Sequence, residues 1–123
     1  MGATTYEWIL EHGERWPYEL PSWVFTHRRL ERASEHVRFT SGDVAAVHDE
    51  MVEAADERNR WIVGGGGLAG QFAAAGLLDE VIVYIAPVTL GAGAPLLPRH
   101  VDLRLEELER NVDFACARYA VVR

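Results

Sequence analysis

Trp61-Ile62-Val63-Gly64-Gly65-Gly66-Gly67-Leu68-Ala69-Gly70-Gln71-Phe72-Ala73-Ala74-Ala75 passes from three strand-forming residues through four glycines into an uncharged, alanine-rich stretch closed by Gly76. The spacing predicts a strand over Trp61–Val63 and a helix over Leu68–Ala75, with Gly76 as its C-terminal stop. A helix without a charge reads as a buried helix. A strand feeding glycines into a helix N-terminus makes an anion site: unpaired N–H groups and the helix dipole face the ligand, and no Cβ keeps a pyrophosphate from the main chain. The plainer reading is a tight turn with close strand-to-helix packing, but four consecutive glycines are more than a turn needs. Gly65, Gly67 and Gly70 also fit GxGxxG formally. The acid that fingerprint wants about 20 residues on is missing, because Ile85-Ala86-Pro87 stands there.

Working outward, strands and helices alternate. Tyr6, Ile9 and Leu10 share a helical face between Thr4 and His12, with Gly13 as the stop. Trp23-Val24-Phe25-Thr26 and Val37-Arg38-Phe39 read as short strands. A helix from Asp43 to Arg58 turns Val44, Val47, Met51 and Ala55 inward and an acidic face outward. Beyond the glycines come a strand over Glu80–Ala86, a Gly- and Pro-rich loop from Pro87 to Pro98, and two antiparallel strands near Leu103–Leu108 and Phe114–Val122. The expected fold class is α/β: a mixed, mainly parallel sheet flanked by helices, ending in a C-terminal antiparallel hairpin.

At 123 residues the chain has room for one domain, so any cleft is built within it or shared between subunits. Its twelve basic residues are all Arg and its net charge is −7, which argues against nucleic acid as a partner. A single cysteine, Cys116, excludes an internal disulfide and suits a reducing compartment; its strand alternation places it in the core. No apolar run approaches the ~20 residues of a membrane span, and the N-terminus lacks an export signal, so a cytoplasmic protein without membrane partners is expected.

Two further stretches could meet an anion. Gly2 to Thr5 opens the first helix, where the plain reading is a threonine cap; His27-Arg28-Arg29 follows the first strand, where it is a solvated loop. The serines (Ser22, Ser34, Ser41) lie outside any GxSxG, and the five histidines show no metal-ligand spacing, so no metal is expected. No side chain identifies itself as a catalytic acid, base or nucleophile.

Taken in order, Met1-Gly2-Ala3-Thr4-Thr5-Tyr6-Glu7, Trp23-Val24-Phe25-Thr26-His27-Arg28, Val63 to Leu68 with Gln71-Phe72, Gly76-Leu77-Leu78-Asp79-Glu80, Pro87 to Leu96, and Arg118-Tyr119 resemble the dihydrofolate reductase-like family. The likeness runs end to end and is greatest to the branch that includes the reductase domain of the riboflavin-biosynthesis deaminase-reductase. It implies a single reductase-like nucleotide-binding domain over residues 1–123 that transfers a hydride from NADPH to a small heterocyclic or sugar-like substrate. By the same resemblance Gly64, Gly65, Gly66, Gly67 and Leu68 hold the cofactor's pyrophosphate from one side and Gly2 and Thr5 from the other. Thr26, His27 and Arg28 meet the adenosine end. The family's glycine turn carries a cis peptide, which here would join Gly64 and Gly65.

Departures from the family pattern narrow the expectation. Ala3 replaces the family's phosphate-binding Arg, so preference for NADPH over NADH rests on Arg28 or Arg29. The strand and helix that usually precede the Met-Gly motif, with their Ser-x-Asp-Gly segment, have no counterpart, which reads as an N-terminal truncation. The rival reading is a non-catalytic nucleotide-binding or assembly module without the substrate half of the cleft. An open sheet also makes a homodimer a partner to expect.

Overall fold

The computed structural model describes residues 1–123. The elements are α1 (Ala3–His12), β1 (Ser22–Phe25), β2 (Val37–Thr40), α2 (Val44–Ala55), α3 (Gly66–Ala74), β3 (Glu80–Ile85), β4 (Leu103–Asn111) and β5 (Phe114–Val121). Type and order follow the sequence reading everywhere except Trp61–Val63. That segment makes no main-chain hydrogen bond and joins no sheet. Its residues have strand character, but a strand exists only through a partner's ladder, and none lies beside it.

The strands form two separate sheets: a parallel pair, β1–β2, and an antiparallel sheet ordered β3–β5–β4. The arrangement is mixed, as expected, with the antiparallel hairpin at its C-terminal end. The parallel share is limited to the four register pairs from Ser22↔Val37 to Phe25↔Thr40 and one Gly2↔Phe25 bridge, and most paired residues are antiparallel. Helices do not cover both faces of one continuous sheet, because no such sheet forms.

Two apolar clusters hold the first half together. Met1, Tyr6, Val24 and Val37 form one, with Ile9, Trp16, Phe39 and Val63 against it. Tyr6 anchors it: the ring lies edge-on to Phe39, and the hydroxyl donates to the Glu31 carbonyl at 2.5 Å and accepts from Ala33 N–H at 2.9 Å. Val44, Leu68 and Phe72 form the other, joined by Phe25, Met51, Leu77 and Leu78. α3 ends as the sequence predicts, with Gly76 in the left-handed region (φ +71) and Leu77 N–H bonded back to the Phe72 carbonyl. The helix is buried at Leu68 and Phe72 on one face and at Gly70 against Pro98 on another, while Gln71 and Ala74 are exposed; absence of charge overstated its burial.

The three-stranded sheet contributes nothing to either cluster, and its one buried residue is Ala117. An irregularity at Glu106 shifts the β4 register, so that Leu105 opposes Tyr119 and Leu108 opposes Ala117. The extra residue lets two leucines three apart share one face with Val81 and Val83. On the other face Arg118 bridges Glu80 and Glu107 across the strands. Glu107, by hydrogen bond and by charge, raises the carboxyl pKa of Glu109. Cys116 lies on this second face opposite Tyr84 and is only half-buried, so the expected core role passes to its neighbour Ala117.

Candidate functional site: two helix N-termini at a glycine turn

Gly64 and Gly65 turn the chain from Val63 into α3, both with positive φ (+68 and +55). No peptide bond in the chain is cis, so the cis Gly64–Gly65 bond implied by the resemblance is not found; two consecutive left-handed glycines make the turn instead. Gly65 caps α3 through its main chain, with Ala69 N–H on the Gly65 carbonyl at 3.2 Å and no side-chain cap. The N–H groups of Gly66, Gly67 and Leu68 therefore have no partner within the helix. Leu68 brings only this amide to the corner, because its side chain is in the core.

The neighbours of each glycine show which way the turn is packed. A Cβ on Gly64 would come within 2.6 Å of Thr5 Oγ1, and one on Gly66 within 2.5 Å of the Leu96 carbonyl oxygen. A Cβ on Gly65 or Gly67 would meet nothing within 4 Å. One side of the turn is thus wedged between α1 and the Pro95–Leu96 loop, and the other is open.

The Gly64–Thr5 contact sets the start of α1 beside the start of α3. Gly2 caps α1 in extended conformation, pairs with Phe25 as a parallel bridge and has no side-chain cap. Tyr6 N–H bonds the Gly2 carbonyl at 3.1 Å, which leaves the amides of Ala3, Thr4 and Thr5 without helical partners. The first turns of α1 and α3, neither with an acidic residue, thus approach each other through the Thr5 side chain and Gly64. Unpartnered main-chain donors at a positive dipole end are the kind of group that suits an oxyanion.

Thr26, His27 and Arg28 follow β1 on the α1 side. Thr26 N–H extends the ladder to the Thr40 carbonyl, and Thr26 Oγ1 accepts from Arg28 N–H at 3.0 Å, forming a small turn. Arg28 forms an ion pair with Glu7 on α1. The sequence left it free for a phosphate, but its guanidinium already has an internal partner. His27 and Arg29 are exposed, and Arg29 makes no ion pair.

An apolar groove of about 210 Å³ lies elsewhere, between β1 and Trp61–Val63, and excludes the glycine turn itself. Sequence reasoning missed it. Its walls are Trp23, Phe25, Met51, Trp61 and Phe72, residues whose pattern signals only core.

Three helices with a parallel strand pair and an antiparallel three-stranded sheet make up a dihydrofolate reductase-like α/β fold. Residues 16–114 match the model of the RibD C-terminal domain, and the chain belongs to that reductase-like family of the riboflavin pathway. Among curated proteins, the uncharacterized YwjB of Bacillus subtilis (strain 168) is 32% identical over 110 residues, covering 86% of this chain and 63% of its own. The chain therefore spans a little under two thirds of that relative. A Shewanella sp. PV-4 structure assigned to riboflavin biosynthesis aligns over all of this chain and 72% of its own, at TM-score 0.81 and 22% identity. Acinetobacter baumannii RibD (form 2) aligns over 81% of this chain and 36% of its own, at TM-score 0.62 and 16% identity. At those identities both structures speak to the fold. No helix here is long and apolar enough to cross a membrane.

Proposed function

We propose that the chain is the nucleotide-holding part of an NADPH-dependent reductase, acting on a small heterocyclic or sugar-like substrate. The observation that carries this reading is the side-by-side placement of the α1 and α3 N-termini, made by Gly64 against Thr5, with the open faces of Gly65 and Gly67 beside them. The amides of Gly66, Gly67 and Leu68 would hold the diphosphate from one side, and the α1 amides after Gly2, with Thr5, from the other. Thr26 and His27 would line the adenosine end. Arg29 is better placed than Arg28 to meet a 2′-phosphate, because Arg28 would first have to leave Glu7. The cofactor supplies the hydride when bound; the protein's share is to hold it and to shield it from water.

Binding and turnover can be tested apart. Gly67→Asp places a carboxylate in the open space at the α3 N-terminus, where an acid favours the helix but repels a phosphate. NADPH titrated into the 123-residue chain should bind saturably, and Gly67→Asp should weaken that binding at least tenfold while the thermal midpoint holds or rises. Equal affinity in both proteins would remove the reading. Nucleotide binding with no NADPH oxidation on any heterocyclic or sugar-like substrate would instead favour the non-catalytic module.

A further inference from the structure

Of the two acidic residues on α1, Glu7 and Glu11, only Glu7 is in an ion pair, and its partner Arg28 comes from the loop after β1. The positions one turn from Glu7 along the helix are Ala3, Thr4, Leu10 and Glu11, so α1 itself offers no cation to take the place of Arg28. The pair closes the seam where α1 starts beside the end of β1. There Gly2 bridges Phe25, and Phe25 N–H bonds the Met1 carbonyl at 2.9 Å. The main chain of Arg28 is fixed as well: its N–H donates to Thr26 Oγ1 at 3.0 Å, and Thr26 N–H donates to the Thr40 carbonyl at 2.8 Å. The freedom left to Arg28 is in its side chain, and Glu7 takes it up.

A 2′-phosphate is recognised by a guanidinium fork whose donors are open. The fork of Arg28 is engaged, and the Glu7 carboxylate beside it repels a phosphate. A ribose with a free 2′-hydroxyl meets no such penalty, because a carboxylate accepts from a hydroxyl. The side chains of Glu7 and Arg28 are 44% and 56% exposed, so water screens the pair and its hold on Arg28 is a matter of a few-fold, not of orders of magnitude.

We propose that Glu7 is a specificity-determining residue: on the reading that the helix N-termini hold NADPH, its grip on Arg28 keeps down the preference for NADPH over NADH. Arg29, exposed and in no ion pair, is the guanidinium this loop leaves open.

The test is equilibrium titration of NADPH and of NADH into the whole chain and its variants, with thermal midpoints as the check on folding. Glu7→Gln keeps the size of the side chain and removes its charge. It should tighten NADPH about two- to fivefold, the worth of an exposed ion pair, and leave NADH unchanged. The same change made in an Arg28→Gln background should bring no gain, because the freed guanidinium is its source. Glu11→Gln, an equal change of charge one turn along α1, should shift neither nucleotide. Three results would overturn the proposal while leaving nucleotide binding intact: no change with Glu7→Gln, an equal change for both nucleotides, or a gain of the same size in the Arg28→Gln background. A parent chain that binds neither nucleotide would remove the NADPH reading, and the role of Glu7 with it.

Discussion

The half of the molecule built from α1, β1, β2, α2 and α3 and the sheet β3–β5–β4 are held together by different means. In the first, short strands of four residues are anchored by buried side chains such as Tyr6, Val24 and Phe72. In the second, strands of six to nine residues are stitched by long ladders while Ile82, Tyr84, Leu105 and Leu108 stand exposed. Side-chain burial gives a site its rigidity, whereas a ladder with bare faces gives shape without a core. The two helix N-termini sit on the buried half, where their spacing is fixed by packing. The sheet is tied to the segment after α3 by Arg123, which donates to the Gly76 and Leu78 carbonyls and to Asp79.

The largest way to break this contrast is at Tyr6. Tyr6→Ala removes a fully buried ring and leaves the Ala33 N–H and the Glu31 carbonyl unpaired, so it should cost about 3–5 kcal/mol. Tyr84→Ala, on a residue two-thirds exposed, should cost under about 1 kcal/mol. Urea unfolding of the pair measures the difference, and similar losses would show that the sheet shares the same core.

A smaller effect probes the seam between the halves. Gly66→Ala drives a methyl against the Leu96 carbonyl, a main-chain atom that cannot swing aside, and should cost about 1–3 kcal/mol. Gly93→Ala, which meets open space, should be near neutral. A Gly66→Ala protein as stable as the parent would mean that the Pro95–Leu96 loop is not packed on the turn.

The smallest expected effect comes from the Met1 amine, which burial lowers from 8.0 to about 6. Between those values the unfolded chain binds more protons than the folded one, so this group makes stability rise with pH. Its contribution is present above pH 8 and is lost as pH falls from 8 to 6. Unfolding midpoints across that window, set against a chain whose Nα is acetylated, check the sign; a parent whose midpoint falls relative to the acetylated chain as pH rises from 6 to 8 would contradict it.

Local signals were legible where the residue itself carries the reason. Gly13 and Gly76 stop helices, Val44 and Val47 mark the buried stripe of α2, and the glycine run bends the chain into α3. Pairing was not legible in the same way. Trp61-Ile62-Val63 is as apolar and as strand-like as Trp23-Val24-Phe25, yet only the latter has a partner, because a ladder depends on what lies alongside and not on the residues alone. The Glu7–Arg28 pair was likewise invisible, since twenty-one positions separate two side chains that meet only when α1 packs beside β1.

What the sequence determined by itself is the order of elements, the places where helices begin and end, and the four glycines that allow main chain to approach a neighbour or a ligand. Tertiary structure alone decided that Gly64 rests on Thr5, which sets two helix N-termini side by side, and that the strands divide into two sheets with an apolar slot beside β1. The physical reason is range: caps and turns are settled within a few residues, whereas a shared electrostatic corner and a hydrogen-bond ladder are made between segments far apart in the chain.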